Sequence, residues 1–82
     1  MDYERFKELS LEEQANVVKQ HGVFLEWKME GPMMIKLFRV LDFFTEVYLN
    51  SSEFKLYAIR AYTGSEFLAE DGVYYQAIPN AS

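Results

Sequence analysis

The polar and apolar positions of this chain change period once, close to residue 22. Before that point the spacing is helical. Tyr3, Phe6 and Leu9 recur every third residue, which predicts a short first helix or a single turn packed beneath the next. Ser10-Leu11-Glu12-Glu13 carries a capping box, with Ser10 accepting from the N3 amide while Glu13 reaches back. A helix over residues 11–20 follows, with Leu11, Ala15 and Val18 on one face. Glu12 and Glu13 suit the positive end of its dipole and His21 the negative end. Gly22 stands where a left-handed residue commonly ends a helix.

From Val23 the period is two. Residues 23–30 alternate apolar with mainly charged side chains, the pattern of a half-buried strand. Gly31-Pro32 is a turn, and further strands are expected over residues 33–41, 43–49 and 54–62, separated by Asp42 and by Asn50-Ser51-Ser52. These connections are too short for parallel crossovers, so the sheet is an antiparallel meander. Beyond it, Ser65 heads a short turn, and residues 73–78 read either as a fifth strand or as an extended segment. The fold class is α+β: one or two N-terminal helices packed on a four- to five-stranded antiparallel sheet, in a single domain over residues 1–82.

Register decides what each strand buries. A three-residue turn Glu30-Gly31-Pro32 pairs Glu26 with Lys36 and Phe24 with Phe38 on one face, and Leu25 with Leu37 and Trp27 with Ile35 on the other. In the next hairpin a turn on Asp42-Phe43 sets Arg39 opposite Glu46, whereas a turn on Leu41-Asp42 is expected to shift the pairing by one and so to reverse every side chain of the third strand relative to the second. Opposite charges across strands contribute about 0.2–1 kcal/mol, which favours Asp42-Phe43. In either register both faces carry large apolar groups, and the short helix covers only one. The other face then needs a cover: the C-terminal segment with Tyr74, Tyr75 and Ile78, a second copy of the chain, or a partner.

Composition removes most chemistry. With 82 residues, half of them apolar and 17% aromatic, the chain is one folded domain rather than a disordered one. Its formal net charge is −5, spread as seven acids and four bases over residues 1–30 and six acids and four bases over residues 31–82. No two bases are adjacent. Phosphate binding needs clustered Lys and Arg, so nucleic acid and anionic membrane surfaces are not expected partners. The absence of cysteine excludes disulfides and thiolate chemistry. The charged start Met1-Asp2-Tyr3-Glu4-Arg5 lacks the apolar stretch of a secretion signal, which points to a cytoplasmic protein.

No motif points to catalysis or to a cofactor. The single histidine, His21, is placed for helix capping, and the adjacent pairs Glu12/Glu13 and Glu70/Asp71 cannot face each other across a cleft as catalytic carboxylates do. No spacing of His, Cys, Asp or Glu fits a metal, and the four glycines form no phosphate loop. What remains is an aromatic-rich sheet with a few charges in it. Trp27, Phe38, Phe44, Tyr48 and Tyr57, with Arg39, Glu46 and Arg60, are the candidate interaction residues, because Tyr, Trp and Arg dominate protein interfaces. Glu46 is the one acid inside an apolar strand, to be paired by Arg39 or by a base on the fourth strand, or else to fix a partner's register together with Arg60.

The run Leu41-Asp42-Phe43-Phe44-Thr45-Glu46-Val47-Tyr48, followed by Leu56-Tyr57-Ala58-Ile59-Arg60-Ala61-Tyr62 and preceded by a capped helix ending at Gly22, resembles a pattern in small bacterial proteins of helix-plus-antiparallel-sheet type. The resemblance spans most of residues 6–62. It implies a bacterial cytoplasmic origin and brings no activity with it. The expected function is therefore a non-catalytic protein-interaction module, self-associating as a homodimer or binding another protein through a sheet face or edge. A small apolar-ligand binder, with four methionines suited to an adaptable lining, is the alternative. An acidic mimic of nucleic acid ranks below both.

Overall fold

The computed structural model describes residues 1–64, so the turn headed by Ser65 and the alternatives over residues 73–78 lie outside the described residues. Two helices, α1 (Tyr3–Lys7) and α2 (Leu11–His21), precede four strands, β1 (Gly22–Glu30), β2 (Met33–Val40), β3 (Phe43–Asn50) and β4 (Lys55–Tyr62). The strands form one antiparallel sheet in the order β1-β2-β3-β4. This is the α+β meander that the patterning predicts.

Local chemistry sets the helix ends. Asp2 caps α1 by accepting from the Arg5 amide at 2.9 Å. The Ser10 hydroxyl accepts from the Glu13 amide at 3.2 Å while Glu13 accepts from the Ser10 amide at 3.0 Å, which completes the capping box. Gln14 ties the helices together by donating to the Phe6 carbonyl at 3.0 Å. At the other end of α2 the expectation fails. Gly22 is extended (φ −75°, ψ 139°) and is already the first residue of β1. Its glycine is required by space instead: a Cβ there would run into the Val18 carbonyl oxygen and lie 3.2 Å from the Phe38 ring. The helix therefore passes directly into the edge strand.

Phe6, Val18, Val40 and Phe43 form the core between the helices and one sheet face, with the Phe6 and Phe43 rings 5.2 Å apart. Tyr3 meets Phe43 edge-on at 6.2 Å. That core decides the register at Asp42. The turn is Leu41-Asp42, so Val40 pairs with Phe43 and Arg39 with Phe44, against the Arg39–Glu46 pairing expected from charge. The two registers differ by two residues, so each side chain keeps its face; what changes is whether Phe43 lies in the sheet or in the turn. Burying Phe43, 1% exposed, is worth about 1.5–3 kcal/mol, more than a cross-strand ion pair. It also outweighs the left-handed conformation forced on Leu41 (φ 57°), which costs about 1–2 kcal/mol.

The β1–β2 hairpin departs from expectation in a way that matters more. Its turn has two residues, Gly31 (φ 58°) and Pro32, and a bulge at Leu25 takes up the difference. Phe24 still faces Phe38, but from Glu26 onward the pairing moves by one: Glu26 meets Leu37, Trp27 meets Lys36, and Lys28 meets Ile35. Glu26 thus leaves the helix side of the sheet and Trp27 joins it. A second bulge, at Tyr57, lies between Ala58, opposite Tyr48, and Leu56, opposite Leu49. Asn50 organises the last turn by accepting from the Ser52 amide, the Ser52 hydroxyl and the Glu53 amide through its side chain. Ser51 ties that turn to the first one through two hydrogen bonds to the Pro32 carbonyl.

Candidate functional site

Register sorts the eight candidate residues onto different surfaces. Trp27 and Phe38 stand on the helix side. Arg39, Phe44, Glu46, Tyr48 and Arg60 stand on the far side, and Tyr57 projects from its bulge, 72% exposed. They do not make one patch. Phe44 and Glu46 are 4% and 2% exposed, so the far side is not an open aromatic surface around them. Ile35 and Leu37 are buried on the same side.

Glu46 sits in a polar cluster. The Tyr48 hydroxyl donates to its Oε1 at 2.9 Å and the Tyr62 hydroxyl donates to the same oxygen at 2.8 Å. The base paired with it across the strands is Arg60; Leu37 occupies the position expected for Arg39. Burial, and after it the hydrogen bond to the Glu46 carboxylate, push both tyrosine hydroxyls above their ordinary pKa. The Arg60 guanidinium stands 5.3 Å from the Tyr62 ring centroid, and its pKa is raised by hydrogen bonding to Tyr48 and then by the Tyr62 hydroxyl. Two hydroxyl donors and a guanidinium give a buried carboxylate the partners it needs. The cluster accounts for Glu46 as a structural acid.

The exposed apolar surface is elsewhere, on β1 and on the half of the sheet that the helices leave open. Val23, Phe24, Trp27 and Met29 are 46–53% exposed along the edge strand. Phe24 stacks edge-on against Phe38 at 5.6 Å and, with Trp27, Met34 and Lys36, frames a shallow recess. Next to it, between α2 and strands β2 to β4, lies a groove of about 500 Å³. Ala15, Asn16, Val18 and Lys19 form its helix wall; Lys36, Phe38, Val47, Leu49, Leu56 and Ile59 form its floor. Phe24, Met29, Lys19 and Lys36 were not singled out by sequence reasoning, because Lys36 is assigned there to Glu26 and the bulge that separates them has no local signal.

Among the described residues no three His, Cys, Asp or Glu side chains come together to hold a metal, and no helix is long and apolar enough to cross a membrane. His21, Glu12 and Glu13 are exposed at the two ends of α2, and Glu70 and Asp71 lie outside the described residues. No family model, curated protein or solved structure matches the chain.

Proposed function

We propose that the protein is a non-catalytic interaction module that pairs with a second copy of itself along the outer edge of β1. The edge itself carries the reading. It is nine residues long, contains no proline, exposes four large apolar side chains and, among the described residues, has no strand on its outer side. Such an edge is a template for strand addition.

Self-pairing about a two-fold axis has few registers. Residues opposite each other in an antiparallel pair share a face, so the axis passes through a residue. Centred on Glu26, the pairing sets that carboxylate against its own copy. Centred on Lys28, it sets lysine against lysine and Glu26 against Glu30. Centred on Trp27, it sets Glu26 opposite Lys28 twice and joins the two tryptophans on the helix side. Among the described residues Glu26 Oε2 has no hydrogen-bond partner and Lys28 is bonded to Glu30 at 3.0 Å, so an added cation improves the balance of charge along this strand. The Trp27-centred register is therefore the favoured one. A bacterial, cytoplasmic setting belongs to the same proposal and rests on the pattern of residues 41–48 and 56–62.

Sedimentation of charge variants tests it. Lys28→Glu sets acid against acid at both ends of the pairing and is expected to weaken self-association at least tenfold, about 1.4 kcal/mol. The swap Glu26→Lys/Lys28→Glu is expected to restore it. A chain that stays monomeric at every concentration overturns the function, and a swap no better than the single variant overturns the register.

A further inference from the structure

The groove between α2 and the sheet combines an apolar floor with cationic side chains. Its floor is apolar, built by Phe38, Val47, Leu49, Leu56 and Ile59, and among the described residues it holds two lysines and no acid. Lys36 rises from the middle of the floor, flanked across the strands by Trp27 and Val47 and along its own strand by Met34 and Phe38. Lys19 stands on the helix wall. Neither has an ion-pair partner among the described residues, in a chain whose formal net charge is −5. The bulge at Leu25 is what leaves Lys36 alone, because it carries Glu26 to the opposite face.

A cation set in apolar surface is half of a recognition site for an amphiphile of opposite charge. At about 500 Å³ the groove is within the range of small-molecule sites, which are lined by apolar groups with a few placed polar ones. We propose that it binds a long-chain carboxylic acid as a free monomer, the carboxylate paired with Lys36 and Lys19 and the alkyl chain lying along Val47, Leu49 and Leu56. The charge-assisted contact fixes the head, and burial of methylenes supplies most of the affinity. The groove is bounded by α2, by Gly22 at the start of β1 and by strands β2 to β4, and Trp27 beside Lys36 belongs to the edge proposed for pairing, so binding is read first at concentrations where the chain is monomeric.

The test uses dodecanoate below its micelle concentration, by titration calorimetry, with the emission of Trp27, the only tryptophan, as a second readout opposite Lys36. One saturable site per chain is expected, with 1-dodecanol at least tenfold weaker and acetate silent. Lys36→Met, which keeps the apolar stem, is expected to weaken dodecanoate about tenfold and to abolish its advantage over the alcohol, at unchanged circular dichroism. Lys36→Arg keeps the charge and is expected to retain binding, which covers the case of a methionine variant that fails to fold. Equal binding of acid and alcohol to the unmodified protein would overturn the proposal. So would the absence of saturable binding at concentrations where the chain is monomeric as well as where it is paired, which would leave the groove to a second copy or to the chain itself.

Discussion

The two halves of β3 differ along a single strand. Its first four residues, Phe43-Phe44-Thr45-Glu46, are all buried, and its last four, Val47-Tyr48-Leu49-Asn50, are all half-buried. At the first end Phe43 lies under Phe6 on one face, while Phe44, Glu46 and Tyr62 are buried on the other. At the second end α2 has run out. An 11-residue helix is about 16 Å long, whereas a nine-residue strand spans about 30 Å. Because α2 continues into β1 without a loop, its end is also pinned beside Gly22, Val18 and Phe38. One end of the sheet therefore carries the stability, and the other retains apolar surface for contacts. Trp27 and Met29, level with Val47 and Leu49, belong to this open end.

That division can be broken by substitution, beginning at the closed end. Phe6→Ala removes a fully buried ring and is expected to cost about 3–5 kcal/mol in chemical denaturation, enough to threaten folding of so small a domain. Leu49→Ala, on the open floor, is expected to cost no more than a third of that. Comparable losses at the two positions would abolish the distinction.

Tyr62→Phe tests the buried polar cluster at an intermediate size. Removing a hydroxyl that donates to a buried carboxylate is expected to cost about 1–3 kcal/mol near neutral pH. It should also change the alkaline limb. Tyr62 and Tyr48 keep their protons to higher pH in the folded protein than a free tyrosine does. Their contribution is therefore complete below about pH 10 and declines as pH rises further. Loss of Tyr62 should flatten that decline, as read from melting temperature between pH 9 and 11. An unchanged slope would mean that the Tyr62 hydroxyl does not feel Glu46.

Much of this was legible in the sequence wherever a local rule governs. Ser10 and Glu13 announce their capping box, the change of period near residue 22 announces the sheet, and short connections announce a meander. What was not legible depends on contacts distant in sequence. Leu41 takes a turn position that its side chain disfavours because Phe43 is needed against Phe6, and nothing near residue 41 states that trade. The Leu25 bulge is likewise silent in composition, yet it replaces an expected Glu26–Lys36 pair by Trp27 facing Lys36 and so moves Trp27 from the face of Ile35 to the helix side. Glu46 stands out in the sequence as the one acid in an apolar strand, but its surroundings were only half legible, since a base on the fourth strand was expected and the two tyrosine donors were not.

Residue-resolved amide hydrogen exchange across a protein dilution series is the most direct test of the central claim, that the exposed β1 edge is where a second copy adds its strand. The account predicts that outward-facing amides within residues 23–29 gain protection as concentration rises, while those of β3 stay constant. Protection that leaves β1 unchanged as the protein associates, or that rises at another edge instead, would contradict it.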